Sequence, residues 1–138
     1  MDTINVELKG SEIESIERDG DRLTILFSRA FLLKTMTGSE EKTRWWQAGS
    51  LVIEGAEART PLPIGPQICV GGDIEENIYT YRDMIPIPFE SRGHVGCELR
   101  FEGRPEPLIV VGTAVRLNMQ GTPKYIEHLR PQSSIDAG

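Results

Sequence analysis

Apolar and polar positions alternate with a period of two along most of the chain, and turn signals recur about every ten residues, which predicts strands joined by tight turns rather than alternating βαβ units. Ile4, Val6 and Leu8 alternate with Thr3, Asn5 and Glu7, so a first strand is expected to end near Gly10. A second is expected over residues 12–18, followed by Asp19-Gly20-Asp21, whose Asp-Gly pair suits the positive φ angles of a two-residue hairpin turn. Residues 23–27 and 30–33 are apolar on both faces, the mark of a central strand. Residues 34–43 are polar, contain Gly38 and read as a loop, after which residues 51–57 read as a strand. Pro61, Pro63 and Pro66 then fit a crossover better than a sheet interior.

A short strand at residues 68–70 is expected to stop at Gly71-Gly72, with a further extended stretch over residues 77–84. Pro86 and Pro88 alternate with Ile85 and Ile87, so they remove backbone donors from one edge only and predict an edge strand blocked against further pairing. In residues 94–102, Val95, Cys97, Leu99 and Phe101 share a core face opposite His94, Glu98 and Arg100. The same parity predicts that Ile109, Val111, Thr113, Val115, Leu117 and Met119 form the returning strand of a hairpin. Residues 124–129 read as a last strand or a single turn. Val6 to Glu12 and Leu51 to Glu57 echo one another, each an apolar alternation running into a charge, a Gly, a small residue and a Glu. Two similar bends are expected there. The pattern therefore predicts an all-β, single-domain antiparallel β-sandwich or flattened barrel of about 8–10 short strands, with little or no helix. The domain spans residues 1–130, and residues 131–138 form a frayed polar tail.

Composition narrows this picture modestly. The 138 residues are 38 % hydrophobic and 26 % charged, which suits a folded chain with a modest core and excludes wholesale disorder. Fifteen Lys and Arg against twenty-one Asp and Glu give a net charge of -6, which disfavours nucleic acid and anionic membranes as partners. The start of the chain lacks the basic and apolar regions of a signal peptide, and no run is long enough for a membrane span. A cytoplasmic location is expected. Cys69 and Cys97 are too few for a disulfide framework and read as buried, reduced thiols.

Candidate chemistry is sparse. The sequence holds no phosphate loop, dinucleotide fingerprint, nucleophile elbow or pair of histidines at zinc spacing, so no cofactor, metal or catalytic residue is assigned. His94 belongs to a wet strand face near Glu98, where a solvated imidazole explains it better than a metal site. Tyr79, Tyr81 and Asp83 alternate with Thr80 and Arg82, an arrangement that suits either a polar ligand or the rim of a core.

The adjacent pair Trp45-Trp46 is the sharpest feature. Thr37-Gly-Ser-Glu40 matches a capping box and offers a short helix through the pair, but the following residues lack an apolar stripe, so an extended chain is preferred. Phase carried back from Leu51 and Ile53 puts Trp45, Gln47 and Gly49 inward and Trp46, Ala48 and Ser50 outward. The leading expectation is a non-enzymatic binding domain for a protein partner, a basic one by charge, or for a second copy in a homodimer. The candidate contact residues are Trp46, Tyr79, Tyr81, Arg82, Asp83 and His94. A small-molecule or saccharide-binding barrel with Trp46, Tyr79 and Tyr81 at its mouth is the alternative. A hydrolytic enzyme using Asp83, Glu98 and His94 ranks last.

Overall fold

The computed structural model describes residues 3–36, 38 and 41–130. These residues form nine strands and no helix: β1 Thr3–Asp19, β2 Arg22–Thr35, β3 Lys42–Glu54, β4 Glu57–Ala58, β5 Gln67–Glu76, β6 Tyr79–Arg82, β7 Met84–Ile87, β8 Glu90–Phe101 and β9 Leu108–Leu129. All belong to one antiparallel sheet in the order β6-β5-β8-β9-β3-β2-β1-β7, with β4 added on β9. The path closes on itself, because Glu12 and Ile13 of β1 pair with Ile68 and Gln67 of β5. Six strands thus ring one core as a flattened barrel, inside which Leu8, Ile25, Leu51, Ile53, Ile74 and Leu99 are fully buried.

The strands are longer than their hydrophobic pattern suggests, because bulges reset the alternation without ending the strand. β1 does not break at Gly10. Its register with β2 jumps between Glu7↔Phe31 and Glu12↔Arg29, and Gly10 takes the left-handed φ of 91° that this bulge needs. The buried Ser11 plugs the irregularity: its Oγ donates to the Glu7 carbonyl at 2.6 Å and accepts from the Phe31 N–H at 3.0 Å. The echoed site shares only the left-handed glycine: Gly55, at φ 59°, ends β3 after Glu54 and turns the chain into the separate β4, whereas β1 continues through Gly10.

Three further boundaries shift for related reasons. β5 runs through Gly71-Gly72 instead of stopping there, since a Cβ on Gly72 would lie 2.5 Å from the Glu98 carbonyl oxygen. The glycine serves the close approach of β5 to β8. Residues 124–129 are neither a separate strand nor a turn but the end of the 22-residue β9. Along β9 the expected parity fails at its start: Leu108 and Val110 are the buried residues, whereas Ile109 and Val111 are half-buried on the other face. The phase flips near Gly112, where the β8 register jumps between Arg92 and Val95, and from Val115 onward the inward positions are as expected.

The hairpin turn between Asp19 and Arg22, the β8–β9 hairpin and the central place of β2 match the sequence pattern, although of the Asp-Gly pair only Gly20 takes a positive φ, 63°. β7 matches in part: its Ile85 and Ile87 face the core and, among the described residues, it pairs only with β1 at the end of the sheet, but it ends at Ile87, so Pro86 lies in the strand and Pro88 beyond it. The helical alternative for the tryptophans fails, because Lys42 onward is strand, while Thr37, Ser39 and Glu40 of the capping box lie outside the described residues. The tail at 131–138 lies outside them too. No helix in the described chain is long and apolar enough to cross a membrane.

β8 leaves β9 after Glu90↔Arg116. Beyond that point β9, β3, β2, β1 and β7 continue side by side as an open wing of the barrel, and the tryptophans lie on it.

Candidate functional site

The wing has two faces, set by the uninterrupted alternation of β3. Trp45 faces inward in the row Val6-Leu32-Trp45-Tyr125, packs against the core and meets the Tyr125 ring edge-on at a centroid distance of 5.3 Å. Its indole N–H donates to Thr43 Oγ1 at 2.8 Å, so the half-buried ring keeps its polar atom satisfied. Trp46 faces outward in the row Glu7-Phe31-Trp46-Lys124. Both parities are those read from Leu51 and Ile53.

Around Trp46 lies an open groove of about 720 Å³, walled by Lys9 and Gly10 of β1, Arg29 and Phe31 of β2, and Ile126 of β9. The Arg29 guanidinium carbon lies 4.7 Å from the Trp46 ring centroid and the Lys124 amine 4.9 Å. At these distances the ring's quadrupole attracts both cations. The next row, Asn5-Leu33-Arg44-Glu127, forms the groove's far side. There Arg44 bridges Glu127 at 2.9 Å and Glu7 at 3.3 Å, while its buried Nε has no hydrogen-bond partner among the described residues. Arg29 lies 3.8 Å from Glu12. The groove is lined by Lys9, Arg29 and Arg44 against Glu7 and Glu127, one cation more than carboxylates on an acidic chain.

The other sequence candidates do not join this groove. Tyr79 and Tyr81 sit together on β6, across from Glu76 and Ile74 of β5. Tyr79 is exposed, whereas Tyr81 packs on the core, meets Phe89 edge-on at 5.6 Å and donates its hydroxyl to Glu76 at 3.3 Å. Burial, and then the Glu76 carboxylate, pushes the Tyr81 pKa upward. Arg82 reaches Asp73 at 3.8 Å on the outer face. Asp83 does not share the tyrosines' face, because it forms the corner between β6 and β7 at φ 59°. Its Oδ1 accepts from the Gly72 N–H at 3.0 Å and lies 3.4 Å from Arg100. His94 is exposed and lies 3.6 Å from Glu75. No mouth collects Trp46, Tyr79 and Tyr81, since the groove around Trp46 is lined by neither tyrosine.

Both thiols are buried. Cys69 donates to the Gly71 carbonyl at 3.2 Å, and burial raises its pKa to about 11. Burial raises Cys97 further in the same direction. Among the described residues no three His, Cys, Asp or Glu side chains gather in a metal-binding arrangement.

The sequence did not mark Phe31, Arg29, Arg44 and Lys124 as neighbours of Trp46. Arg29 lies within the bulge between Phe27 and Ala30 and Phe31 follows it, which hides their parity, and Lys124 meets Trp46 only through register jumps on either side of it. These features define an all-β protein whose closed antiparallel sheet carries an aromatic and cationic groove on a projecting wing. Comparison with protein-family models, with curated proteins and with solved structures finds no match for this chain.

Proposed function

We propose that this protein is a non-enzymatic interaction domain that docks a protein partner in the groove around Trp46. The observation that carries the reading is the outward indole itself, held between the wing's strands with two cations at its ring. Aromatic and arginine side chains of this kind supply most of the binding energy where proteins meet. A carboxylate entering the groove would bridge Arg29 and Lys124 while an apolar neighbour covers Phe31 and Ile126. The contact segment of the partner is therefore acidic with apolar residues.

The net charge of -6 favours a basic partner at long range. Such a partner fits the carboxylate row Asp73, Glu75 and Glu98 on the outer face of β5 and β8 better than it fits the groove. Those carboxylates already face Arg82, His94 and Arg100 at 3.8, 3.6 and 2.9 Å, so the groove is the stronger candidate.

Affinity capture from native lysate with wild-type and Trp46→Ala protein, at low and raised salt, tests the proposal. A protein retained by the wild type and lost with Trp46→Ala supports it. Identical retention by both would remove the groove as the docking surface, and retention of nothing would remove the interaction reading.

A further inference from the structure

β9 is paired on both sides only as far as Arg116, and the last backbone bond on its β8 side is the Leu117 N–H to the Phe89 carbonyl at 2.9 Å. From there to Leu129 its only partner among the described residues is β3. A long strand edge left open in this way is a template for another strand. The other ends of the sheet are guarded differently, since β7 and β6 are four residues each and β7 carries Pro86. Within the open stretch, Pro123 lacks an N–H and Gly121 bends at φ 72°, which concentrates the pairing surface on residues 124–129. Tyr125 and Ile126 are 56 % and 38 % exposed there.

The sequence of this edge is complementary to itself. Read antiparallel about a two-fold axis between Tyr125 and Ile126, Lys124 of one chain stands opposite Glu127 of the other, and the reverse pair forms symmetrically. A regular strand would put positions 124 and 127 on opposite faces. Here the β3–β9 register jump between Arg44 and Trp45 puts both outward, Lys124 across from Trp46 and Glu127 across from Arg44. The two charges that a second copy would bring together therefore share one face, with Tyr125 and Ile126 between them.

We propose that residues 124–127 pair with the same residues of a second copy, joining two sheets edge to edge in a two-fold dimer. The interface is isologous, as two-fold dimers require, and its small area makes the dimer weak and concentration-dependent. Lys124, Ile126 and Glu127 also border the Trp46 groove, and the dimer is distinguished from docking there because it is read from the mass of the protein alone.

Sedimentation over a range of concentrations tests it with charge reversals. Wild-type protein is expected to shift from monomer to dimer with concentration. Lys124→Glu and Glu127→Lys proteins should each dimerise about tenfold more weakly, because like charges then face each other across the axis. An equimolar mixture of the two should recover dimer, since each copy's reversed charge meets its complement only in the mixed pair. Concentration-dependent protection of amides within residues 124–127 from hydrogen exchange in the wild type is a second readout that needs no variant. A wild type that stays monomeric, a dimer indifferent to both reversals, or a mixture no stronger than its components would overturn the proposal.

Discussion

Asp83 shows how a polar residue that resembles a site serves the fold. Its left-handed φ of 59° turns β6 into β7, its N–H donates to the Gly72 carbonyl at 2.6 Å, and its carbonyl accepts from the Leu8 N–H at 2.9 Å. Its carboxylate also accepts the Gly72 N–H. Asp83→Ala removes that acceptor and keeps the unfavourable φ, so it should lower stability by about 2 kcal/mol in denaturant melts, with Asp83→Asn losing roughly half as much. The thiols act through protonation. An unfolded Cys69 ionises near its ordinary value of 9.0, whereas the folded residue holds its proton to about 11. The folded chain then binds the proton that the unfolded chain has released, so this contribution is intact below pH 9 and declines as pH rises toward 11, by on the order of 2 kcal/mol. Chemical denaturation at pH 8 and pH 10.5 should show a larger loss for the wild type than for Cys69→Ala. Equal losses would contradict the assignment.

At the scale of strands, the glycines and bulges decide what each face carries. The Ser11 hydroxyl takes up a carbonyl and an N–H that the β1 bulge leaves without ladder partners. Ser11→Ala should therefore cost about 1–3 kcal/mol although the side chain is small. Gly72→Ala drives a Cβ toward the Glu98 carbonyl and the Leu99 side chain, where only backbone movement makes room, and a loss of about 1–3 kcal/mol in thermal or denaturant unfolding is expected. These same devices limit what the sequence reveals. β3 keeps one phase from Trp45 to Ile53, and the two tryptophans, the edge role of Pro86, and the β8–β9 hairpin were all legible from alternation, whereas Pro88 falls just past the edge strand. Alternation failed wherever a bulge preserved the strand but reversed its faces. Gly10 and Gly71 looked like strand ends, and Gly112 reversed Ile109 and Val111. Arg29 and Phe31 stayed hidden beside Trp46 because the first lies in an irregularity of β2 between Phe27 and Ala30 and the second follows it. The register that brings Lys124 to Trp46 is a property of two distant strands, and no local pattern records it.

For the whole molecule, six strands close around one core while five of the sheet's strands run on into a wing. The wing offers an outward indole, two cations at its ring and an open strand edge, on a chain whose net charge is -6. The barrel supplies the rigidity that fixes the wing, and the wing supplies the surface. Docking at Trp46 is tested most directly by fluorescence in a Trp45→Phe protein, where Trp46 is the sole indole. Titration with a Trp-free peptide of alternating Glu and Leu should shift or quench its emission in a saturable way. Raised salt should weaken the effect, and Lys124→Ala should weaken it as well. Emission that stays unchanged through the titration, or a change of equal size with a Lys-Leu peptide, would contradict the account.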